Sequence, residues 1–282
     1  MSNTLYLVST PIGNLEDITL RALRVLKEVH LIACEDTRVT QKLLNHFEIK
    51  TPTTAFHAHS SASKRKNLLD RIQQGEDIAL VSDAGTPIVS DPGSLLVQEA
   101  VVLDIQVVPI PGPSSVLAAL VTSALPTANW TFLGFLPRNK KAQTEALSRV
   151  ESLDSTLVLF ESPHRTDSTL RICTEVLGPR QVCVAREITK KFETFYRGTF
   201  EEVLQALPKP LKGEVVILIA PNERRDELEN ATEQQMLLSA KQLLESGSSS
   251  TEVAKAMNHL YGLKRKEAYQ LVLKAKSEDF HA

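Results

Sequence analysis

The sequence predicts an α/β chain: two α/β domains over 1–124 and 125–222 with a ligand cleft between them, then a small helical module over 230–282. Three observations carry this. Short continuous apolar runs alternate with longer amphipathic stretches up to Ala124; the pattern becomes richer in strand after Leu125-Pro126; and a charged stretch, NERRDELEN (222–230), precedes three short helical patterns. At 282 residues the chain is about two domains long. With 42% apolar and 23% charged residues it can bury a large core without metal or disulfide.

The elements follow in order. LYLV (5–8) is a strand, and 17–29 has Leu20, Leu23, Val25, Leu26 and Val29 near a 3.6 period, a helix. HLIAC (30–34) is a strand followed by a helix at about 38–47. A third apolar run lies at 53–56, and 64–74 reads as a surface helix. IALVS (78–82), a helix at 94–103, IQVVPI (105–110) and a very apolar helix at 114–125 complete the first half. Continuous rather than alternating apolar strands in βαβ order mean a parallel sheet covered on both faces. In the second half WTFLGFLP (130–137), TLVLF (156–160), VCVAREI (182–188), FETFYRG (192–198) and VVILIA (215–220) read as strands, with a hairpin joining 182–188 to 192–198. The last three helices fall at 233–246, 250–260 and 264–276. Ser249 and Glu252 fit a capping box, and the tight spacing about Tyr261-Gly262-Leu263 resembles a helix-turn-helix.

Composition and motifs exclude much. The 32 basic and 34 acidic residues leave a net charge of −2, which rules out a histone-like polycation but not a local basic face. Cys34, Cys173 and Cys183 are far apart, each closing an apolar run, as buried reduced thiols would. The opening MSNTLYLVSTPIGN lacks the pattern of a signal peptide, and no apolar run exceeds six residues, so a cytoplasmic location is expected. No two of the eleven glycines stand two or four apart and none precedes lysine, which removes GxGxxG, GxSxG and the Walker A loop. His57 and His59 have no third ligand nearby, so no metal site is expected.

Four loops lie where open parallel sheets bind ligands, at strand C-termini. STPIGN (9–14) has Pro11 to stiffen it and Gly13 to permit an unusual φ. CEDTR (34–38) brings Glu35, Asp36 and Arg38 together. SDAGTPIVSDPG (82–93) is long for a βα turn and so reads as a binding loop, with Asp91 expected to cap the following helix. PIPGPSS (109–115) sets Ser114 and Ser115 at a helix N-terminus.

TPIGNLEDIT, EDTR, SDAGTPIVSDPG, PIPGPSS, LGFLPR, FESPHR and AREITKKFE, in this order, resemble the tetrapyrrole-methylase-like (class III) S-adenosylmethionine-dependent methyltransferases. The resemblance spans about 4–220 and includes the terminal helices. It is nearest to the branch that 2′-O-methylates a cytidine in the decoding region of 16S ribosomal RNA. Where cobalamin-precursor methylases carry a shorter GDP-type loop this chain has SDAGTP, a departure that favours the RNA branch.

The resemblance implies S-adenosylmethionine folded in the interdomain cleft, 16S rRNA or the small ribosomal subunit as partner, and a homodimer. It implies Asp83 facing the cationic end of the cofactor, with close backbone contacts from Gly85, Thr86 and Pro87. Ser115 and Val116 meet the ligand from the next loop, and Pro11 and Ile12 floor the cleft. Phe160, Ala185 and Val216 enclose the adenine, or are ordinary core. For the chemistry Asp36, Arg38 and Glu187 are put forward as catalytic. Asp36, Glu161, His164 and Glu187 remain alternatives for the base, and Arg38, Arg165 and Arg186 for phosphate contacts. These charges could instead form structural ion pairs across the domain interface. Arg138, Lys140, His164, Arg165, Lys264, Arg265 and Lys266 are expected to meet RNA. From Lys255 to Lys276 six basic residues face one acid, a local charge of +5. The competing readings are a methyltransferase of a small molecule such as a tetrapyrrole precursor, and a non-catalytic RNA-binding protein that retains a methylase fold.

Overall fold

The structure is a computed structural model describing residues 3–57, 60–91, 93–222, 233–261 and 263–277. His59, Pro92, Gly262 and residues 223–230 of the charged stretch lie outside the described residues. The chain forms two compact units, one of Met1–Val150 with Ser155–Ala220 and one of Glu151–Asp154 with Pro221–Ala282.

The first sheet contains β1 (Thr4–Val8), β2 (Leu31–Cys34), β3 (Thr53–Ala55), β4 (Ile78–Val81) and β5 (Gln106–Ile110), in spatial order β3-β2-β4-β1-β5. Every pairing is parallel, as the unbroken apolar runs predict. Leu31, Ala33, Ile78 and Leu80 face one way, into a cluster with Leu68, Leu69, Ile72, Leu96 and Ala100. Ile32, Cys34, Ala79 and Val81 face the other way, against Ala22, Val25, Leu26, Leu43 and Leu44. Side chains alternate across a strand, so a sheet covered on both sides needs apolar residues at consecutive positions. The covering helices are α1 (Leu20–Glu28) and α2 (Thr37–His46) on one face, and α3 (Ala62–Gln73) and α4 (Ser94–Val102) on the other. Each fully buried leucine contributes about 1.5–3 kcal/mol. Helix α5 (Ser115–Thr122) buries Val116, Ala119 and Leu120 and exposes Leu117 and Val121.

The second sheet contains β6 (Trp130–Phe135), β7 (Thr156–Glu161), β8 (Gln181–Arg186), β9 (Thr194–Thr199) and β10 (Val215–Ile219), in order β6-β7-β10-β8-β9. The β6–β7 pairing is parallel and the other three are antiparallel, with β10 inserted antiparallel between β7 and β8. The β8–β9 hairpin is present. Three helices that the strand-rich reading passes over flank this sheet: α6 (Lys140–Ser148), α7 (Thr166–Leu177) and α8 (Phe200–Ala206). Their signals are local. The Asn139 side chain caps α6, Leu170, Cys173 and Leu177 give α7 its buried stripe, and Thr199 with Glu202 forms a capping box on α8. One face of the sheet packs on these helices. The other carries Val158, Cys183, Ala185, Val216 and Leu218, packed on Ile12 and the buried stripe of α5. Thus α5 is core that joins the two halves of this unit.

The second unit holds α9 (Glu233–Glu245), α10 (Ser250–Tyr261) and α11 (Arg265–Ser277) around Leu237, Val253, Met257, Ala268 and Val272. The capping box at Ser249 and Glu252 is formed. The three cysteines are free and buried, and burial pushes Cys173 up to about 12 and Cys183 to about 11. No helix among the described residues is long and apolar enough to cross a membrane.

Candidate active site

The carboxyl ends of β1, β4 and β5 open onto a cleft of about 750 Å³, closed on its other side by the ends of β6, β7 and β10. That is the position and the size expected of a ligand site. The loops that build it are tied together before any ligand arrives. Thr10 and Gly85 exchange backbone hydrogen bonds of 2.9 and 3.0 Å, the Ser9 and Thr86 hydroxyls are 3.0 Å apart, and the Thr10 hydroxyl donates to the Ser82 carbonyl. Loops one and three therefore form a single rigid rim. Ile88 (φ 77°) and Ser90 (φ 69°) hold left-handed backbone, which for a β-branched isoleucine is a strained state of the kind found at binding sites.

Gly13 differs from expectation. Its φ is not left-handed; it is needed because the aliphatic stem of Lys190 and the Thr189 hydroxyl lie where a Cβ would point. The Lys190 ammonium then pairs with Glu187 at 2.9 Å and Glu214 at 3.1 Å, so a lysine from the second half lies across the first loop.

Four carboxylates line the cleft: Asp83, Asp91, Glu161 and Glu214. Asp83 accepts the Asp36 backbone N–H at 3.0 Å, joining the second loop to the third. Glu161 is 3% exposed and saturated: it accepts from the Ser162 N–H and the Thr169 hydroxyl, both at 2.7 Å, and pairs with Arg165 at 3.3 Å. Glu214 is largely exposed and paired with Lys190. Asp91 is not the cap of α4, a correction to the sequence reading: Gly93 takes the cap position and no side chain bonds to the helix terminus. The residue lines the cleft instead. Burial raises its pKa, the Ser82 hydroxyl opposes this, and the Asp83 charge adds to it. Glu35 is pushed up by burial and by Asp83, Asp91 and Asp36.

Of the residues expected to touch a cofactor, Ile12, Asp83, Gly85, Thr86, Pro87, Ser115, Val116, Phe160 and Val216 line the cleft. Pro11 and Ala185 do not; Ala185 is fully buried in the core behind it. None of Asp36, Arg38 and Glu187 lines the cleft. Asp36 caps α2 through the Arg38 N–H, and the Arg38 guanidinium holds its carboxyl down at about 2, which makes it a weak proton acceptor. For Glu187 burial opposes the charge, but the Glu214 N–H and the Lys190 ammonium outweigh it and hold the carboxyl low. These ion pairs are local, within EDTR and within the loop after β8. Arg165 donates to the Leu136 and Pro137 carbonyls, and Arg186 to that of Lys212. His164 and Arg138 are exposed, and exposed Lys140 pairs with Glu175 at 3.0 Å.

In the second unit Lys264, Arg265 and Lys266 are exposed at the start of α11, where Glu267 accepts the Lys264 N–H and supplies one negative charge. The sequence reading missed Asp91, Glu214 and Phe135 as cleft residues. The signal for Phe135 was its place in LGFLPR, an aromatic between a glycine and a proline at a strand end. Among the described residues no cluster of three potential metal ligands occurs.

The family model described as Tetrapyrrole (Corrin/Porphyrin) Methylases matches residues 4–204. The chain is 48% identical to ribosomal RNA small subunit methyltransferase I of Halalkalibacterium halodurans over 227 residues, 80% of this chain and 78% of that one. It is 42% identical to the protein of the same name from Mesorhizobium japonicum, over 96% of this chain and 92% of the relative. A solved uroporphyrin-III C-methyl transferase from Thermus thermophilus, complexed with S-adenyl homocysteine, shares the fold: TM-score 0.54, 19% identity, 76% of this chain and 96% of that one. Matched by the methylase model from residue 4 to residue 204 and by a relative along almost its whole length, the chain belongs to the tetrapyrrole methylases and, within them, to the ribosomal RNA small subunit methyltransferase I family of methyltransferases.

Proposed function

We propose that the chain transfers the methyl group of S-adenosylmethionine to the ribose 2′-hydroxyl of a cytidine in the decoding region of 16S rRNA, as a cytoplasmic homodimer acting on the small ribosomal subunit. The observation that carries this reading is the cleft: carboxylates on its first rim, an apolar wall of Phe160, Ile188 and Val216 opposite, and a rigid backbone rim between. Such a cleft suits a ligand cationic at one end and aromatic at the other. The relatives are named as ribosomal RNA methyltransferases, which supports ribosomal RNA as substrate, and the solved neighbour was complexed with the demethylated cofactor.

The bound cofactor supplies a methyl group on a positively charged sulfur. Asp83 offers its charge to the cationic end, while the 85–87 and 115–116 backbone sits close and Phe160, Ile12 and Val216 receive the adenine. Positioning the ribose oxygen in line with the methyl provides most of the acceleration. Asp91 is the carboxylate left to take the hydroxyl proton, because Glu161 is saturated, Glu214 is ion-paired, and Asp83 faces the cofactor. Its pKa is raised above the ordinary aspartate value, which makes its carboxylate a stronger proton acceptor than an unperturbed one. Arg165 and Arg186 are bound to backbone carbonyls, so phosphate contacts fall to Arg38, Arg138, Lys140 and His164, and to Lys264, Arg265 and Lys266 of the helical module. Exposed Leu117 and Val121 on α5 offer apolar surface to a second copy.

Incubation with radiolabelled S-adenosylmethionine, small subunits and a free tetrapyrrole tests the reading. Label in rRNA supports it. Label in the pigment would replace it with small-molecule methylation, and label in neither would leave a binding protein.

A further inference from the structure

We propose that Phe135 is the stacking platform for the acceptor base, holding an unpaired nucleotide at the mouth of the cleft so that its ribose reaches the methyl group. This rests on the RNA-methylation reading above and adds the residue that receives the base.

Phe135 ends β6, lines the cleft and is 59% exposed. Its orientation is a built feature. Phe132 pairs with Val158, and regular register would next pair Leu133 with Leu159 and Gly134 with Phe160. A bulge shifts this by one, so that Gly134 pairs with Leu159 and Phe135 with Phe160. Alternation would have pointed Phe132 and Phe135 to opposite faces; the extra residue brings both against Phe160. Bulges beside active sites re-aim side chains in this way. The three rings form a braced stack: Phe132 meets Phe160 edge-on at 5.0 Å, and Phe135 lies tilted on Phe160 at 5.4 Å. The bulge depends on Gly134, which sits at φ 64°, and a Cβ there would come 3.3 Å from the Ser90 hydroxyl. The loop that carries Asp91 therefore meets β6 one residue before Phe135, and both residues line the cleft.

An aromatic ring fixed from behind and open in front is a surface for a flat ligand. The cofactor's adenine has a more enclosed wall in Phe160, Ile188 and Val216, whereas Phe135 faces solvent, from which RNA arrives. Exposed Arg138, three residues on, is placed for a flanking phosphate. Recognition of single-stranded RNA stacks unpaired bases on aromatic side chains, and a base held in this way fixes the position of its own ribose.

The test compares Phe135→Ala, Phe135→Leu and Phe135→Trp in the full chain. It measures KM and kcat for methylation of unmethylated small subunits, S-adenosylmethionine affinity by calorimetry, and thermal midpoints. A stacked base is lost at about 5- to 150-fold in KM for Ala. Leu, which keeps apolar bulk but no π face, fails nearly as badly, Trp restores binding, and cofactor affinity stays within about twofold. Wild-type KM in both the Ala and Leu variants would overturn the inference. So would lost cofactor affinity at an unchanged thermal midpoint, which would make Phe135 part of the adenine wall. If the wild-type protein itself labels no rRNA, the RNA reading falls and this inference with it; labelling by wild type with indifferent variants overturns this inference alone.

Discussion

The two halves of the methylase unit differ in how they reach the cleft. The first sheet is all parallel and contributes loops: turns of proline, glycine and aspartate, zipped by backbone hydrogen bonds from Thr10 to Gly85. The second is mostly antiparallel and contributes walls: Phe135, Phe160 and Val216, set by strand register and one bulge, with Ile188 from the loop after β8. Polar work thus falls to loops, whose chemistry is local in sequence. Apolar and aromatic work falls to strand faces, whose direction depends on pairing with distant residues. A one-residue slip turns a strand side chain to the other face, whereas a loop aspartate keeps its place.

The sharpest way to break this contrast is at Asp91. If the first rim carries the proton chemistry, Asp91→Asn lowers kcat by about 10²–10⁴-fold while cofactor affinity hardly moves. The carboxyl must be ionised to accept a proton. Because burial and Asp83 raise its pKa, wild-type kcat climbs as pH rises through a value above the usual aspartate range. The residual activity of Asp91→Asn loses that rise. Stopped-flow methyl transfer across pH 4–8 measures both, and an unchanged kcat with an unchanged profile would return Asp91 to a structural role.

That prediction also marks what the sequence made legible. The parallel sheet and its helices were readable because they follow from continuous apolar runs, and the resemblance to the methylases pointed to eleven residues of which nine line the cleft. Asp91 was misread since a carboxylate before Pro92-Gly93 looks like a helix cap, and only the geometry shows Gly93 in that position. Phe135 was missed because its direction is decided by pairing with Phe160, 25 positions along the chain. Asp36 and Glu187 looked catalytic as charges in conspicuous motifs, but their partners, Arg38 and Lys190, bind them locally.

A smaller effect is expected at Asp83. Asp83→Asn keeps an acceptor for the Asp36 N–H yet removes the charge, so cofactor affinity drops by about 2 kcal/mol, roughly thirtyfold, with little change in thermal midpoint. Calorimetry decides it, and equal affinity would move the cationic end elsewhere in the cleft.

In the helical module the expected effect is on RNA alone. Removing residues 230–282 leaves cofactor affinity unchanged and weakens binding to small subunits. Neutralising Lys264, Arg265 and Lys266 together flattens the salt dependence of RNA binding by up to about three units of slope, if each meets one phosphate. Equal subunit affinity and equal slope in filter binding would make the module purely structural.

The smallest effect falls where the halves meet. Gly13→Ala puts a methyl against the Lys190 stem and the Thr189 hydroxyl, and should cost about 1–3 kcal/mol in urea unfolding. Adding Lys190→Ala recovers part of it, whereas strict additivity would show that the two positions do not touch.

The proposed reaction is methyl transfer to a ribose oxygen of ribosomal RNA in this cleft. The measurement that reaches it most directly is mass spectrometry of nucleosides released from 16S rRNA after reaction of unmethylated small subunits with the purified protein and isotope-labelled S-adenosylmethionine. Labelled 2′-O-methylcytidine is expected with wild type, and strongly slowed formation of it with Asp91→Asn. Label on a base rather than a ribose, or in a nucleoside other than cytidine, would contradict it.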